Sequence, residues 1–365
     1  MAHDEYAPIR RRPRERQAEG GRRLHSAGSA VIVSLLALVL GLFLNAAGIH
    51  KSAYIQPQGW KRNLALDVTG PIKSVSHALF LDRPRKGLKA VLGRSSDDDI
   101  NTAVAVPTGP PPTTVPIGNG GQGGSTPTTP TVRTKFSPQH PLRIWIAGDS
   151  LVIVPGESIY RALGGNRAVR PLGQVDGRIA TGLERPDVFN WFTRARDVIH
   201  HDNPKAAVVM FGGNDDHDFM TGLPPGTHIG PFDSPSWIAE YRRRVGGIMD
   251  SITRHGAYLV WIGLPVTRDP DQTRRFDAIN AIVQSEAAKR PGRVSYLDTY
   301  FFFAGDNGGY AQYLEDSSGQ LVKMRADDGV HFERAAGDLI AREVLHRLEQ
   351  HVDITSWRKG KHAQP

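Results

Sequence analysis

Cysteine is absent from the 365-residue chain. That absence excludes a disulfide framework, a thiolate nucleophile and any Cys-type zinc site, while leaving the compartment open. Gly-x-Ser-x-Gly is missing as well, which counts against the nucleophile elbow of the α/β-hydrolases. The chain has no His-x-Glu-x-x-His or comparable ligand spacing, and no internal repeat. Acidic residues are the scarcer charge: Lys and Arg number 45 against 37 Asp and Glu, giving a net charge of +8 and a pI near 9.7. An excess of that kind could serve a nucleic acid. The clearest basic run, however, lies beside the long hydrophobic segment rather than along a recognition element, so a topogenic role is expected and no nucleic-acid partner.

Residues 1–29 are polar and hold Arg10, Arg11, Arg12, Arg14, Arg16, Arg22 and Arg23, which reads as a disordered basic tail. Residues 30–49 follow as 20 residues interrupted only by Ser34 and Asn45. At 1.5 Å per residue they span about 30 Å, the thickness of a bilayer's hydrocarbon, so one transmembrane helix is expected. The arginines before it place the N-terminus in the cytoplasm and send the rest across the cytoplasmic membrane. A cleaved signal peptide is the alternative, but the run exceeds a usual h-region and Asn45-Ala46-Ala47 is a poor cleavage site.

Residues 50–94 mix apolar positions with Lys51, Lys61, Arg62, Lys73, Arg83, Arg85, Lys86 and Lys89, and Ile72, Val75 and Leu79 recur at helical spacing. This is a juxtamembrane helical segment, either on the membrane surface or forming a stalk. Residues 95–141 carry three consecutive aspartates, Pro110-Pro111-Pro112, a Gly-rich run and Thr-Pro repeats, the composition of a flexible linker. From 142 to 352 short apolar runs alternate with amphipathic stretches, the pattern of βαβ units in a parallel sheet covered on both faces. Strands are expected at 143–147, 168–174, 206–211, 258–263 and 294–297, and helices at 187–201, 235–255 with Ser234 as N-cap, 273–290 and 334–351. Residues 353–365 form a tail.

The chemistry is expected where the apolar run ending at Ala147 stops at Gly148-Asp149-Ser150. A serine there stands at the carboxyl end of a buried strand, the edge that carries ligands in open α/β sheets. Gly-Asp-Ser alone would arise by chance in about a tenth of chains this long, so other segments must corroborate it. Acyl transfer by serine needs a base, a group to orient the base, and donors for the oxyanion. Of fourteen histidines, His331 stands out, because Asp328 three residues earlier can fold back onto its ring and leave the other nitrogen for Ser150. A capping aspartate beside a surface histidine is the plainer reading of that pair. For the oxyanion the candidates are the backbone N–H of Ser150, the amide of Asn214 in Gly212-Gly213-Asn214-Asp215, and a glycine N–H after the second strand, Gly182 in preference to Gly177. Asp216, His217 and Asp218, with His200, His201 and Asp202, could suggest metal ligation, but adjacent acidic residues in a loop point apart; lining the cleft is the better use, and no metal is expected.

These blocks, Gly148-Asp149-Ser150-Leu151, a glycine after the second strand, Gly212-Gly213-Asn214-Asp215 and Asp328-Gly329-Val330-His331, come in the order and at the spacing of the SGNH, or GDSL-type, hydrolase superfamily, which residues 143–350 resemble. The resemblance implies a three-layer α/β/α sandwich with a central parallel sheet. It implies Ser150 as nucleophile, His331 as base, Asp328 as its orienter, and Gly182 and Asn214 completing the oxyanion hole, with no cofactor. Thr181-Gly182-Leu183 and Arg185-Pro186-Asp187 look more like a membrane-anchored bacterial branch whose relatives esterify or de-esterify envelope polysaccharides. The function expected is therefore a membrane-tethered esterase or O-acyltransferase, with an acylated envelope polysaccharide or peptidoglycan as substrate. A catalytically silent envelope scaffold or glycan-binding protein with the same fold is the alternative. The aromatics Tyr300, Phe301, Phe302, Phe303, Tyr310 and Tyr313 precede the His331 loop and read chiefly as packing over the sheet's end; Trp145, Trp191, Trp237 and Trp261 read as core.

Overall fold

The computed structural model describes residues 27–56, 60–92, 98–107, 134–316 and 318–353. Nearly all of the expected basic tail, most of the expected linker and all but the first residue of the expected C-terminal tail lie outside the described residues. The chain divides into two compact units, Met1–Asp98 and Asp99–Pro365.

The first unit is helical: α1 (Ala27–Leu44), α2 (Ala46–Tyr54), α3 (Trp60–Ala78) and α4 (Arg83–Val91). The single transmembrane helix expected at 30–49 is not what forms. Asn45 leaves helical geometry at φ −112° and ψ 14°, and α1 and α2 meet there at a 69° bend. Among the described residues no single helix is long and apolar enough to cross a membrane, whereas the bent pair meets the length and composition required. The Asn45 side chain does not cap α2, and its Oδ1 is buried with no hydrogen-bond partner among the described residues. Along α3, Ser76 donates its hydroxyl to the Phe43 carbonyl at 2.6 Å, His50 meets Thr69 Oγ1 at 3.1 Å, and Arg62 donates to the Tyr54 carbonyl at 2.9 Å.

The second unit has the expected α/β architecture. Its strands are β1 (Thr134–Lys135), β2 (Leu142–Gly148), β3 (Val169–Pro171), β4 (Asp176–Gly177), β5 (Ala206–Met210), β6 (Tyr258–Ile262), β7 (Val294–Leu297), β8 (Tyr313–Glu315), β9 (Leu321–Lys323) and β10 (Val352–Asp353). The central sheet runs β3-β2-β5-β6-β7, entirely parallel, with β4 also pairing on β2. Every residue of β5 and β6, and all of β2 but Arg143, is buried, as a parallel sheet covered on both faces requires. The helices are α5 (Ile153–Leu163), α6 (Trp191–Asp202), α7 (Pro235–Thr253), α8 (Pro270–Ala288) and α9 (Arg334–Glu349). α5 packs on α9, while α6, α7 and α8 pack in succession, giving the flanking layers. All four core tryptophans are at most 1% exposed.

Departures from the sequence reading have local causes. The strand expected at 168–174 is shortened to β3, because Gly173 turns at φ +73°, in the left-handed region; the chain then returns beyond the expected range as β4, which pairs with Gly148. The helix expected from 187 begins at Trp191, capped by Asn190, whose side chain accepts the Thr193 N–H at 3.0 Å. Asp187 instead pairs with Arg185 at 2.7 Å and with the Thr221 hydroxyl. Ser234 caps α7 as expected. α5 went unanticipated, its Pro155 accommodated in the first turn, where no N–H is needed. Within the expected linker, Asn190 holds the carbonyls of Asn101 and Ala103 at 2.8 and 2.9 Å, and β1 pairs with β10.

At the end of β2, a Cβ on Gly148 would stand 2.0 Å from the Met210 carbonyl oxygen of β5. Neither backbone can give way without breaking the β2–β5 register. Gly148→Ala is therefore expected to destabilise the protein by about 3 kcal/mol, read as a lower urea midpoint; an unchanged midpoint would contradict this packing.

Candidate active site

The site assembles at the carboxyl ends of β2 and β5. After Gly148 the chain makes a tight helical turn, Ser150–Val152, leading into α5. The backbone N–H of Ser150 opens that turn, where helical donors have no acceptor of their own. The turn is held by Asp149, fully buried, whose carboxylate accepts the N–H of Leu151 at 2.9 Å and that of Gly213, beyond β5, at 2.8 Å. One side chain thus ties the Ser150 turn to the loop bearing Asn214.

His331 lies between β9 and α9, far in sequence from Ser150 but within hydrogen-bond reach. Its Nε2 is 2.8 Å from Ser150 Oγ, and its Nδ1 is 2.6 Å from Asp328 Oδ2. Asp328 Oδ1 also accepts the N–H groups of Val330 and His331 at 2.8 and 2.9 Å. Desolvation pushes the Asp328 carboxyl upward, but these donors outweigh it and hold the group at about 2. An ionised carboxylate can only accept, so Nδ1 carries the imidazole proton, Nε2 presents its lone pair, and the Ser150 hydroxyl donates to it. A base with that tautomer can take the serine proton.

The loop after β4 meets the loop after β5. Asn214 Nδ2 donates to the Thr181 carbonyl at 3.0 Å. Asp215, also fully buried, accepts the N–H groups of Leu183 and Glu184 at 2.8 and 3.0 Å and the Tyr241 hydroxyl at 2.9 Å. A Cβ on Gly182 would fall 1.9 Å from Asp215 Oδ1, so only glycine fits between these loops. Gly177 stands on the other side of the Ser150 turn, paired with Gly148 in the sheet, where a Cβ would meet Ile153 at 2.4 Å. Of the two glycines weighed from sequence, Gly182 is thus the one on the segment bonded to Asn214. Ala180, two residues before it, sits at φ +56°, a strained value for a residue with a side chain, and Ile179 beside it is 75% exposed.

The remaining residues singled out from sequence go to different partners. Asp216 pairs with Arg275 at 3.0 Å, His217 Nδ1 meets Glu184 Oε2 at 2.9 Å, and Asp218 accepts the Phe232 N–H at 2.9 Å. His200 and His201 contact each other edge to face at the end of α6. In the aromatic segment Phe303 is buried against Phe332, while Phe301 is 78% exposed.

Sequence reasoning missed the supports beneath the site. Arg325 is fully buried and donates to the carbonyls of Val266 at 2.6 Å, Val330 at 2.5 Å and His331 at 3.3 Å. The rings of Phe303, Tyr310 and Phe332 surround its guanidinium, and burial lowers its pKa to about 10. It fixes the backbone on which the His331 ring turns. Glu184, fully buried, accepts from the Trp237 indole at 3.0 Å as well as from His217. Asp149, Asp215 and Glu184 are all pushed up by desolvation, Asp149 to about 7 and Glu184 to about 8. Hydrophobic periodicity carries no sign of any of these; the one usable signal was a carboxylate adjoining each glycine turn.

Residues 143–347 match a protein family described as "Protein of unknown function (DUF459)". No curated protein matches the chain. Similar solved structures include TesA, at 15% identity over 57% of this chain and 98% of that one, with a TM-score of 0.37. A catalytic mutant of Axe2, an acetylxylan esterase from Geobacillus stearothermophilus, is similar at 14% identity over 60% and 96%, with a TM-score of 0.40. A GDSL-like lipase from Bacteroides thetaiotaomicron is similar at 12% over 57% and 88%, with a TM-score of 0.37.

The Glu184–His217 pair has a consequence for stability. Desolvation raises Glu184 from 4.5 to about 8, and the Glu184 hydrogen bond raises His217 above 6.5. Groups raised on folding bind more protons folded than unfolded, so the stability they contribute is present at acid pH and lost as pH rises through their folded values. Glu184→Gln removes that titration. Its melting temperature is expected to fall less between pH 6 and 9 than the parent's; an equal or steeper fall would contradict the assignment.

Proposed function

The chain belongs to the family described as "Protein of unknown function (DUF459)", and from that premise and the hydrogen-bonded series Asp328, His331, Ser150 we propose that it is a serine esterase or O-acyltransferase of the SGNH type. The observation that carries the proposal is the 2.8 Å approach of the His331 Nε2 to the Ser150 hydroxyl, with the second ring nitrogen engaged by an ionised carboxylate. In the proposed reaction Ser150 Oγ attacks an acyl carbonyl as His331 takes its proton. The oxyanion of the tetrahedral intermediate is received by the N–H of Ser150, the N–H of Gly182 and the free amide hydrogen of Asn214. Collapse expels the alcohol, which leaves with the proton held by His331, and an acyl-serine remains. Water, or a sugar hydroxyl in transfer, then attacks the acyl-serine as His331 takes its proton; the acyl–Oγ bond breaks, His331 returns the proton to Ser150 Oγ, and the carboxylic acid or the acylated sugar leaves.

The substrate proposed is an O-acylated, chiefly O-acetylated, cell-envelope glycan. Support comes from the openness of the site: the His331 and Asp328 side chains are 40% and 50% exposed, as suits a polymer approaching from outside. The setting proposed is a bacterial cytoplasmic membrane, with the amino-terminal arginines inside, α1 and α2 entering the bilayer as a bent pair, and the catalytic unit outside.

Release of acetate from a small aryl ester tests the chemistry, and adding a glycan acceptor separates transfer from hydrolysis. Ser150→Ala is expected to lower kcat by at least about 10³-fold; intact turnover would overturn the assignment. Arg325→Lys cannot hold the same carbonyls, and is expected to lower kcat by about 10²-fold through displacement of His331, with KM little changed. A variant that raised KM alone would contradict that positioning role.

A further inference from the structure

We propose that α3 lies in the plane of an anionic bilayer surface, with Trp60, Leu64, Val68, Val75 and Leu79 pressed into the headgroup boundary; this rests on the membrane setting proposed above and says which segment meets the lipid. Trp60, Leu64, Val68 and Val75 lie on α3, which contains Pro71, and Leu79 directly follows it with its N–H still donated to the Val75 carbonyl at 3.0 Å; spacings of four, four, seven and four residues put them on one side of a helix. All five are between 45% and 71% exposed. Single exposed apolar residues are ordinary, but a continuous stripe of them marks a surface that meets lipid or a partner.

The stripe cannot be explained as the packing face of α3, because that face is already used. Thr69 and Ser76 are buried, bonded to His50 and to the Phe43 carbonyl at the end of α1. The same bond makes α3 continuous with the apolar α1. Lys61, Arg62, Asp67 and Lys73 on α3 exclude a path through hydrocarbon, which leaves the interface. Charge selects the lipid: residues 51–92 hold eight Lys and Arg against Asp67 and Asp82, and although Lys51 is buried and Arg85 and Lys89 pair with Asp98, the remaining balance still favours anionic headgroups. α4 likewise exposes Leu88 and Val91, with Leu92 just after it, together with Arg83 and Lys86.

The absence of cysteine makes the test clean. Val68→Cys on the stripe, Asn63→Cys on the polar side of α3 and Leu36→Cys on α1 are each labelled with an environment-sensitive dye. The full chain is reconstituted in vesicles of phosphatidylcholine alone or with phosphatidylglycerol, with nitroxide-labelled lipid as quencher. In phosphatidylglycerol vesicles the Val68 label is expected to shift to the blue and be quenched severalfold more than the Asn63 label. A water-like Val68 label beside a quenched Leu36 label would overturn the α3 proposal and leave the tether intact. A quenched Val68 label with an unquenched Leu36 label would support α3 docking while the α1–α2 insertion failed. A blue-shifted but unquenched Val68 label would mean that protein, such as a second copy, covers the stripe; equal quenching in both vesicles would overturn the anionic assignment. Either result would contradict the proposal.

Discussion

Two buried carboxylates decide where the reactive groups stand. Asp149 joins the turn after β2 to the loop after β5, and Asp215 joins that loop to the segment after β4. Burying a charge is costly unless its lone pairs are met, and here backbone N–H groups and the Tyr241 hydroxyl meet them. Three strand ends that could drift independently are thereby held as one rigid edge. The groups of the proposed oxyanion pocket, the backbone N–H of Ser150 and of Gly182 and the amide of Asn214, ride on that edge, the pre-organisation such a pocket would need.

The fourth segment arrives differently. The His331 loop belongs to no strand of the central sheet, and its position is fixed by Arg325, which pairs with no carboxylate among the described residues and spends its donors on backbone carbonyls. Arg268 adds a second clamp, its N–H donated to the Gly329 carbonyl at 3.1 Å and its guanidinium to that of Asp327 at 2.8 Å. Gly329 turns at φ +78°, and a Cβ there would meet the Arg268 side chain at 2.6 Å, so the glycine permits both the turn and the contact. Asp328 then needs no partner beyond its own loop and the ring it orients.

Much of this was legible in sequence because it rests on patterns of period and punctuation. Apolar runs punctuated by glycine gave β2, β5, β6 and β7, and the short separation of Asp328 and His331 made their pairing a candidate, although a capping aspartate beside a surface histidine was the plainer reading of that pair taken alone. What stayed hidden depends on contacts between distant residues. Arg325 in isolation resembles any surface arginine, and the burial of Glu184 follows from Trp237 and His217, 53 and 33 residues away. The break at Asn45 was visible as a polar interruption, yet hydropathy averages over such a residue and cannot report the 69° bend it marks.

Passage of an acyl group through Ser150 is open to peptide mass spectrometry after rapid acid quench of the protein with an aryl acetate. A single acetyl group is expected on the peptide containing Ser150, absent from the Ser150→Ala chain. Acetate release at full rate with no acetyl on that peptide at any quench time, and none on the Ser150→Ala chain, would contradict it.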